Sequence, residues 1–188
     1  MAATAALMST EEFLALPEDG IHRELIAGEL REYPMTTRNF GHSRATCEIG
    51  HLLLTWSRAR PGPRGAVVGG EARVRLRRDP DTIVGVDVAY ISPELTAATE
   101  PNAFAVDGPP VLAVEILSPS NTHEEIYEKV QLYLSSGVPA VWVADPFFRT
   151  VTVHRPGAPP LTFNETQELV GDPELPGFRV PVAAIFGA

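Results

Sequence analysis

Two short stretches of this chain are almost wholly apolar, and each carries a single carboxylate. One is Ile83-Val84-Gly85-Val86-Asp87-Val88-Ala89-Tyr90 and the other is Val111-Leu112-Ala113-Val114-Glu115-Ile116-Leu117. Apolar runs of this length read as strands covered on both faces. The chain must therefore place helices on both sides of a sheet. A carboxylate inside such a strand is costly unless it is paired, hydrogen-bonded or metal-bound. Two of them on neighbouring strands repel each other, and a divalent cation removes that repulsion; oxygen ligands suit Mg²⁺ or Mn²⁺. The competing reading of either acid alone is a strand-end residue facing solvent or an arginine. Together they point to a functional site, because oddly placed ionisable groups cluster there.

The remaining chain supplies the layers. Ser9 followed three residues later by Glu12 predicts a capped helix to Leu14. Ala27-Gly28, between Arg23-Glu24-Leu25-Ile26 and Glu29-Leu30-Arg31-Glu32-Tyr33, predicts a tight hairpin. Residues 34–39 read as a loop. Ala45, Ile49, Leu52, Leu53 and Trp56 recur at helical spacing and predict a helix over residues 42–60, stopped by Pro61-Gly62-Pro63. Residues 71–77 alternate, with Arg73, Arg75 and Arg77 on one face of a strand. A strand over 83–91, an irregular crossing over 92–110 and a strand over 111–117 follow. Ser118 to Asn121 are read as the cap of a helix that ends at Gly137. Strands over 139–144 and 150–154 and a short strand near 178–180 complete the order. The fold class is α/β with a mixed central β-sheet flanked by helices, preceded by an N-terminal helix and β-hairpin. One domain is expected over 1–188, with the helix and hairpin at 9–34, a core at 40–154 and a C-terminal extension at 155–188.

Lys129 is the only lysine among fifteen basic residues. It lies on the predicted helix after Glu115 and flanks the stripe of Ile126, Val130, Tyr133 and Leu134, so its ammonium can reach the sheet carboxylates. The alternative is a surface pair with Glu125.

The ordered set Glu24-Leu25-Ile26-Ala27-Gly28-Glu29-Leu30, Asp87-Val88-Ala89-Tyr90-Ile91, Val114-Glu115-Ile116-Leu117-Ser118-Pro119-Ser120, Glu128-Lys129, Gly137-Val138-Pro139 and Val141-Trp142-Val143-Ala144-Asp145-Pro146 resembles the Uma-type restriction endonuclease family, long called a domain of unknown function. The resemblance runs from about Ser9 to Phe186. It implies a restriction-endonuclease-like core of the nucleases with a Pro-Asp…(Asp/Glu)-x-Lys signature. It implies that Asp87 and Glu115, with the main-chain carbonyl of Ile116, ligate Mg²⁺ or Mn²⁺. The metal would activate a water for hydrolysis of DNA phosphodiester bonds. Two positions depart from the signature: Val86 stands where the proline would be, and Leu117 where the lysine would be. The resemblance places the lysine on the next helix, at Lys129. It also marks Glu24 as a supporting catalytic acid and His42 as a phosphate contact at a helix start. For Glu24 the alternative is a hairpin ion pair with Arg23 or Arg31; for His42 it is a capping or core role. Glu48 is the rival helix-borne acid.

Charge bounds the partners. With 24 acidic and 15 basic residues the net charge is −9, which argues against a non-specific nucleic-acid coat. Arg73, Arg75 and Arg77 are the candidates for phosphate contacts, with a solvated, ion-paired outer face as the alternative. The single cysteine, Cys47, the lack of a basic leader before Met8 and the absence of a membrane-length apolar run fit a cytoplasmic protein with no membrane partner. DNA is the expected substrate, and a homodimer suits cutting of both strands. The rival readings are a catalytically inactive nuclease-fold binding or interaction module, and a hydrolase of other substrates at the same metal site. Convergence of Asp87, Glu115 and Lys129 discriminates between them.

Overall fold

The computed structural model describes residues 7–17, 19–33 and 38–187. Most of the predicted loop at 34–39, Glu18 and most of the first eight residues lie outside the described residues.

The elements are α1 (Thr10–Leu14), β1 (His22–Ile26), β2 (Glu29–Tyr33), α2 (Phe40–Ala59), β3 (Ala66–Arg77), β4 (Thr82–Ile91), α3 (Pro93–Ala98), β5 (Val106–Asp107), β6 (Leu112–Ile116), α4 (His123–Ser135), β7 (Ala140–Asp145), β8 (Thr150–His154), β9 (Leu161–Asn164), β10 (Glu168–Val170), β11 (Arg179–Pro181) and α5 (Val182–Phe186). Ser9 and Glu12 form the reciprocal cap of α1. Ala27 and Gly28 both have positive φ, 51° and 78°, as a two-residue hairpin of this hand requires. A Cβ on Gly28 would lie 2.7 Å from the Cβ of Leu7, so glycine is needed there.

Four local readings change. The crossing over 92–110 contains α3, capped by Ser92 with Pro93 in its first turn, and the two-residue β5. The cap of α4 is Thr122 paired with Glu125, while Ser118 and Asn121 close their own turn through Asn121 Oδ1. The strand of arginines extends back to Ala66 through a bulge between Gly69 and Ala72. The C-terminal extension contains β9, β10 and α5 in addition to the short strand expected near 178–180, which is β11.

The main sheet runs β2-β1-β4-β6-β7-β8-β9, with β3 on the other edge of β4 and β5 beyond β3. It is mixed: β6 and β7 are parallel and joined through α4, whereas β4 runs antiparallel to β1, β3 and β6. One core contains Ala45, Ile49 and Leu53 of α2 with Val88, Val114, Ile116 and Trp142, closed by Phe178 and Ile185 of the C-terminal extension. The other contains Val130 and Tyr133 of α4 with Val84, Val86, Ala113 and Val141. The sheet is thus covered on both sides, which is why its central strands are almost wholly apolar apart from Asp87 and Glu115.

One feature of the sheet positions the site. β4 meets β1 at Ile83 and β6 at Val88 to Tyr90, both along the same edge. Residues 84–87 lie at the fork where β1 and β6 diverge. Side-chain alternation also breaks here, since Val86 packs on the α4 side and Val88 on the α2 side. Asp87 is between them.

Candidate active site

The fork leaves backbone groups that no ladder satisfies, and acidic and phenolic side chains take their place. Asp87 Oδ2 accepts the Ile116 N–H at 2.8 Å, continuing the β4–β6 pairing beyond Val114. Tyr133 Oη donates to Glu115 Oε1 at 2.7 Å and lies 3.4 Å from the Gly85 carbonyl. These contacts fix Asp87 and Glu115 on adjacent strands, both about 5% exposed.

Lys129 joins the acids. Its Nζ donates to Glu115 Oε2 at 2.9 Å and lies 3.5 Å from Glu24 Oε1. It does not pair with Glu125, whose carboxylate is spent on the α4 cap. Glu24 is buried on β1, and the hairpin arginines go elsewhere: Arg23 to Asp19 and Glu32, Arg31 to Glu128. So Asp87, Glu115, Lys129 and Glu24, from β4, β6, α4 and β1, meet at the fork.

His42 arrives from the first turn of α2. It is buried, and its Nε2 lies 3.3 Å from Asp87 Oδ1. Its backbone N–H donates to the Asn39 side chain, so the capping role belongs to Asn39. Three participants were not anticipated from the sequence. Arg38 Nη1 lies 3.3 Å from Asp87 Oδ1 and 2.8 Å from His42 Nε2. Glu71 pairs with Arg38, and His22 stands between Glu71 and Glu24 at 3.8 and 3.7 Å. Glu71 reaches inward because the β3 bulge gives it a φ of 62°. The signal available was the Gly69-Gly70 pair before it, which marks a bulge in a strand. In sequence Tyr133 reads only as part of an apolar stripe.

The electrostatics follow from burial and pairing. Burial pushes the Glu115 carboxyl up to about 7, with Lys129 opposing the rise and Asp87 adding to it. Burial also works against a charged Asp87, but His42, the Ile116 N–H and Arg38 outweigh it and hold the group below its usual range. Glu24 is likewise lowered, by His22 and Lys129 against burial. Burial disfavours the Lys129 ammonium, yet Glu115 and Glu24 more than offset this and raise it above the ordinary lysine range. Burial and the neighbouring Glu115 raise Tyr133 well above the usual phenol, so it stays a donor.

The donor set fits a hard divalent cation in chemistry. Four carboxylates (Asp87, Glu115, Glu24, Glu71) face two full cations, Lys129 and Arg38. Glu24 Oε1 is buried without a hydrogen-bond partner among the described residues. Among the described residues, no three His, Cys, Asp or Glu side chains are grouped closely enough to hold a metal by themselves. An ion here would draw on carboxylates together with main-chain, solvent or substrate oxygens.

The three arginines of β3 stand apart from this network. Arg75 pairs with Asp107 and is 12% exposed, Arg77 donates to the Ser135 carbonyl, and Arg73 lies 5.9 Å over the Phe13 ring. The half-buried Glu48 makes none of the ion pairs of the cluster among the described residues. Trp142 is core, as its apolar strand predicts. No helix among the described residues is long and apolar enough to cross a membrane.

The family model described as "Uma2: Putative restriction endonuclease" matches residues 10–183. A solved structure described as a putative nuclease belonging to DUF820, from Anabaena variabilis ATCC 29413, is similar with a TM-score of 0.78 at 22% identity. That match covers 95% of this chain and 97% of the other. No curated protein matches the chain.

Proposed function

This chain belongs to the Uma2 restriction endonuclease family, and on that premise we propose that it is a divalent-metal-dependent endonuclease hydrolysing DNA phosphodiester bonds at the Asp87–Glu115–Lys129 cluster. The observation that carries the reading is the convergence of the single lysine with two buried strand carboxylates, Glu115 at 2.9 Å and Glu24 at 3.5 Å, beside Asp87, whose Oδ2 accepts the N–H of Ile116. A lysine displaced onto the next helix serves where Leu117 occupies the usual place.

Asp87, Glu115 and the carbonyl of Ile116 would hold Mg²⁺ or Mn²⁺. The bound ion would polarise a water and stabilise charge at the scissile phosphate. The residues of the chain do the rest. Lys129, kept as an ammonium by Glu115 and Glu24, orients the attacking water or a phosphate oxygen and neutralises developing negative charge. Its raised affinity for protons makes it a donor rather than the resting base. Tyr133 fixes the rotamer of Glu115, and Glu24 holds Lys129 from the far side. Arg38 and His42, at the open end of α2, are placed to meet phosphate oxygens. Arg73, Arg75 and Arg77 add phosphate contacts only if their present partners are displaced. A homodimer would set two such sites against the two strands of a duplex, and a cytoplasmic setting suits a chain with one cysteine.

The test is nicking of supercoiled plasmid and cleavage of oligonucleotides in Mg²⁺, Mn²⁺ and EDTA. Metal-dependent cutting supports the reading. A folded protein that binds DNA and cuts in none of these conditions is instead a binding module on a nuclease fold.

A further inference from the structure

Three phenylalanines are left in solvent beside the cluster. Phe40 is 81% exposed, Phe147 85% and Phe148 72%. Burying a ring of this size is worth roughly 1.5–3 kcal/mol, so three exposed together are unusual for a surface with no partner. Both segments that carry them border the site. Phe40 opens α2 two residues before His42, which faces Asp87. Phe147 and Phe148 follow β7 at the end where Ala144 pairs with Ile116, the residue after Glu115. The segments meet, because a Cβ on Gly41 would lie 3.3 Å from the Cβ of Pro146.

The turn presents its rings rigidly. Asp145 Oδ1 accepts the Phe147 and Phe148 N–H groups at 2.8 and 3.0 Å. The rings pack edge to face, with centroids 5.0 Å apart. Next to them the first turn of α2 carries no acidic residue, whereas α1, α3 and α4 each carry at least one there. No acid of its own first turn offsets the positive end of the longest described helix; beside it Arg38 is shared between Asp87 and Glu71. Flat, exposed π-faces bordering a site proposed to cut phosphodiester bonds are the chemistry that binds unpaired bases. A second copy of this chain fits less well. Three rings offer on the order of 500 Å², short of the roughly 800 Å² per partner of a stable dimer.

We propose that Phe40, Phe147 and Phe148 form a stacking surface for unpaired bases on the rim of the carboxylate site, so that the DNA engaged there is single-stranded or locally opened. This rests on the nuclease reading above.

The experiment measures binding of an oligonucleotide containing 2-aminopurine, whose emission falls on stacking, as a single strand and as a duplex, in EDTA and in Ca²⁺. Wild type is compared with Phe147→Ala/Phe148→Ala, with Phe147→Trp/Phe148→Trp and with Phe40→Ala. The single strand should be bound more tightly than the duplex, with quenching. The alanine pair should lose about tenfold or more on the single strand and stay within about twofold on the duplex, while the tryptophan pair retains binding. Because the rings are exposed, unchanged melting of the variants is expected. Equal binding by wild type and both alanine variants overturns the stacking surface; if the wild type still cuts, the nuclease reading stands. Failure of the wild type to bind any oligonucleotide overturns both. A wild-type dimer that becomes monomeric in the alanine pair, with DNA binding unchanged, assigns the rings to self-association and also overturns the proposal.

Discussion

Lys129 Nζ lies 2.9 Å from Glu115 Oε2, although the two residues are fourteen apart and sit on different kinds of element. The turn at Ser118–Asn121 and the Thr122 cap aim α4 back across the sheet, so that one lysine neutralises acids from two strands. Removing it leaves buried carboxylates unpaired, which typically costs about 3–5 kcal/mol. Lys129→Ala should therefore melt markedly lower and cut at least about 100-fold more slowly. Lys129→Arg should recover much of the stability and little of the rate, because a planar fork does not reproduce the position of a point ammonium. Melting curves and initial cleavage rates separate the two effects.

Tyr133 holds Glu115 by a bond of 2.7 Å in a buried setting. A hydrogen bond to a charged group is worth about 1.5–3 kcal/mol. Tyr133→Phe keeps the packing and loses that bond. It should lower cleavage roughly tenfold and raise the metal concentration needed for half-maximal rate. A purely structural role would lower the melting temperature and leave the metal dependence unchanged.

The raised carboxyl of Glu115 gives a pH signature. Its folded value of about 7 stands above the ordinary 4.5, so between these values the folded state binds more protons than the unfolded one. Its contribution to stability therefore falls as pH rises through that window and is fully lost above it. Glu115→Gln lacks this term. The melting temperature of the variant relative to wild type should rise from pH 5 to pH 8. Mg²⁺ should stabilise the wild type more at pH 8 than at pH 5, and the variant at neither. A difference between the two proteins that stays constant with pH would contradict the assignment.

Gly85 lies at the fork, where a Cβ would come within 2.6 Å of Glu71 Oε2 and 3.3 Å of His22 Cε1. Both are side chains with room to move, so Gly85→Ala should fold, losing about 1 kcal/mol or less. The displaced Glu71 no longer restrains Arg38. Cleavage should drop several-fold through a raised KM for DNA, with kcat closer to unchanged, in steady-state kinetics.

The central layers were legible because burial on both sides leaves apolar runs, and capping residues mark the helix starts. Asp87 and Glu115 stood out for the same reason: a charge is conspicuous where everything else is apolar. Lys129 stood out by being the only lysine. Arg38, His22 and Glu71 did not, because each sits among polar residues in sequence and enters the site only through a chain reversal or a bulge. Tyr133 was hidden by its hydrophobic neighbours, since a tyrosine in an apolar stripe does not announce where its hydroxyl ends. The late strands β9 and β10 are four and three residues long and bounded by turns, too short for alternation to show, whereas β11 coincides with the short strand expected near 178–180. Phe147 and Phe148 follow the Asp145 turn, which holds their backbone and leaves the rings outside.

The most direct measurement is the cleavage rate of Asp87→Asn beside wild type, on one DNA substrate in Mg²⁺ and in Mn²⁺, with both proteins shown to be folded. The substitution keeps the acceptor for the Ile116 N–H and removes the charge. The account predicts metal-dependent cutting by the wild type and a loss of at least about 1,000-fold in the variant. Cutting that persists in the variant, or that continues in EDTA, would contradict it.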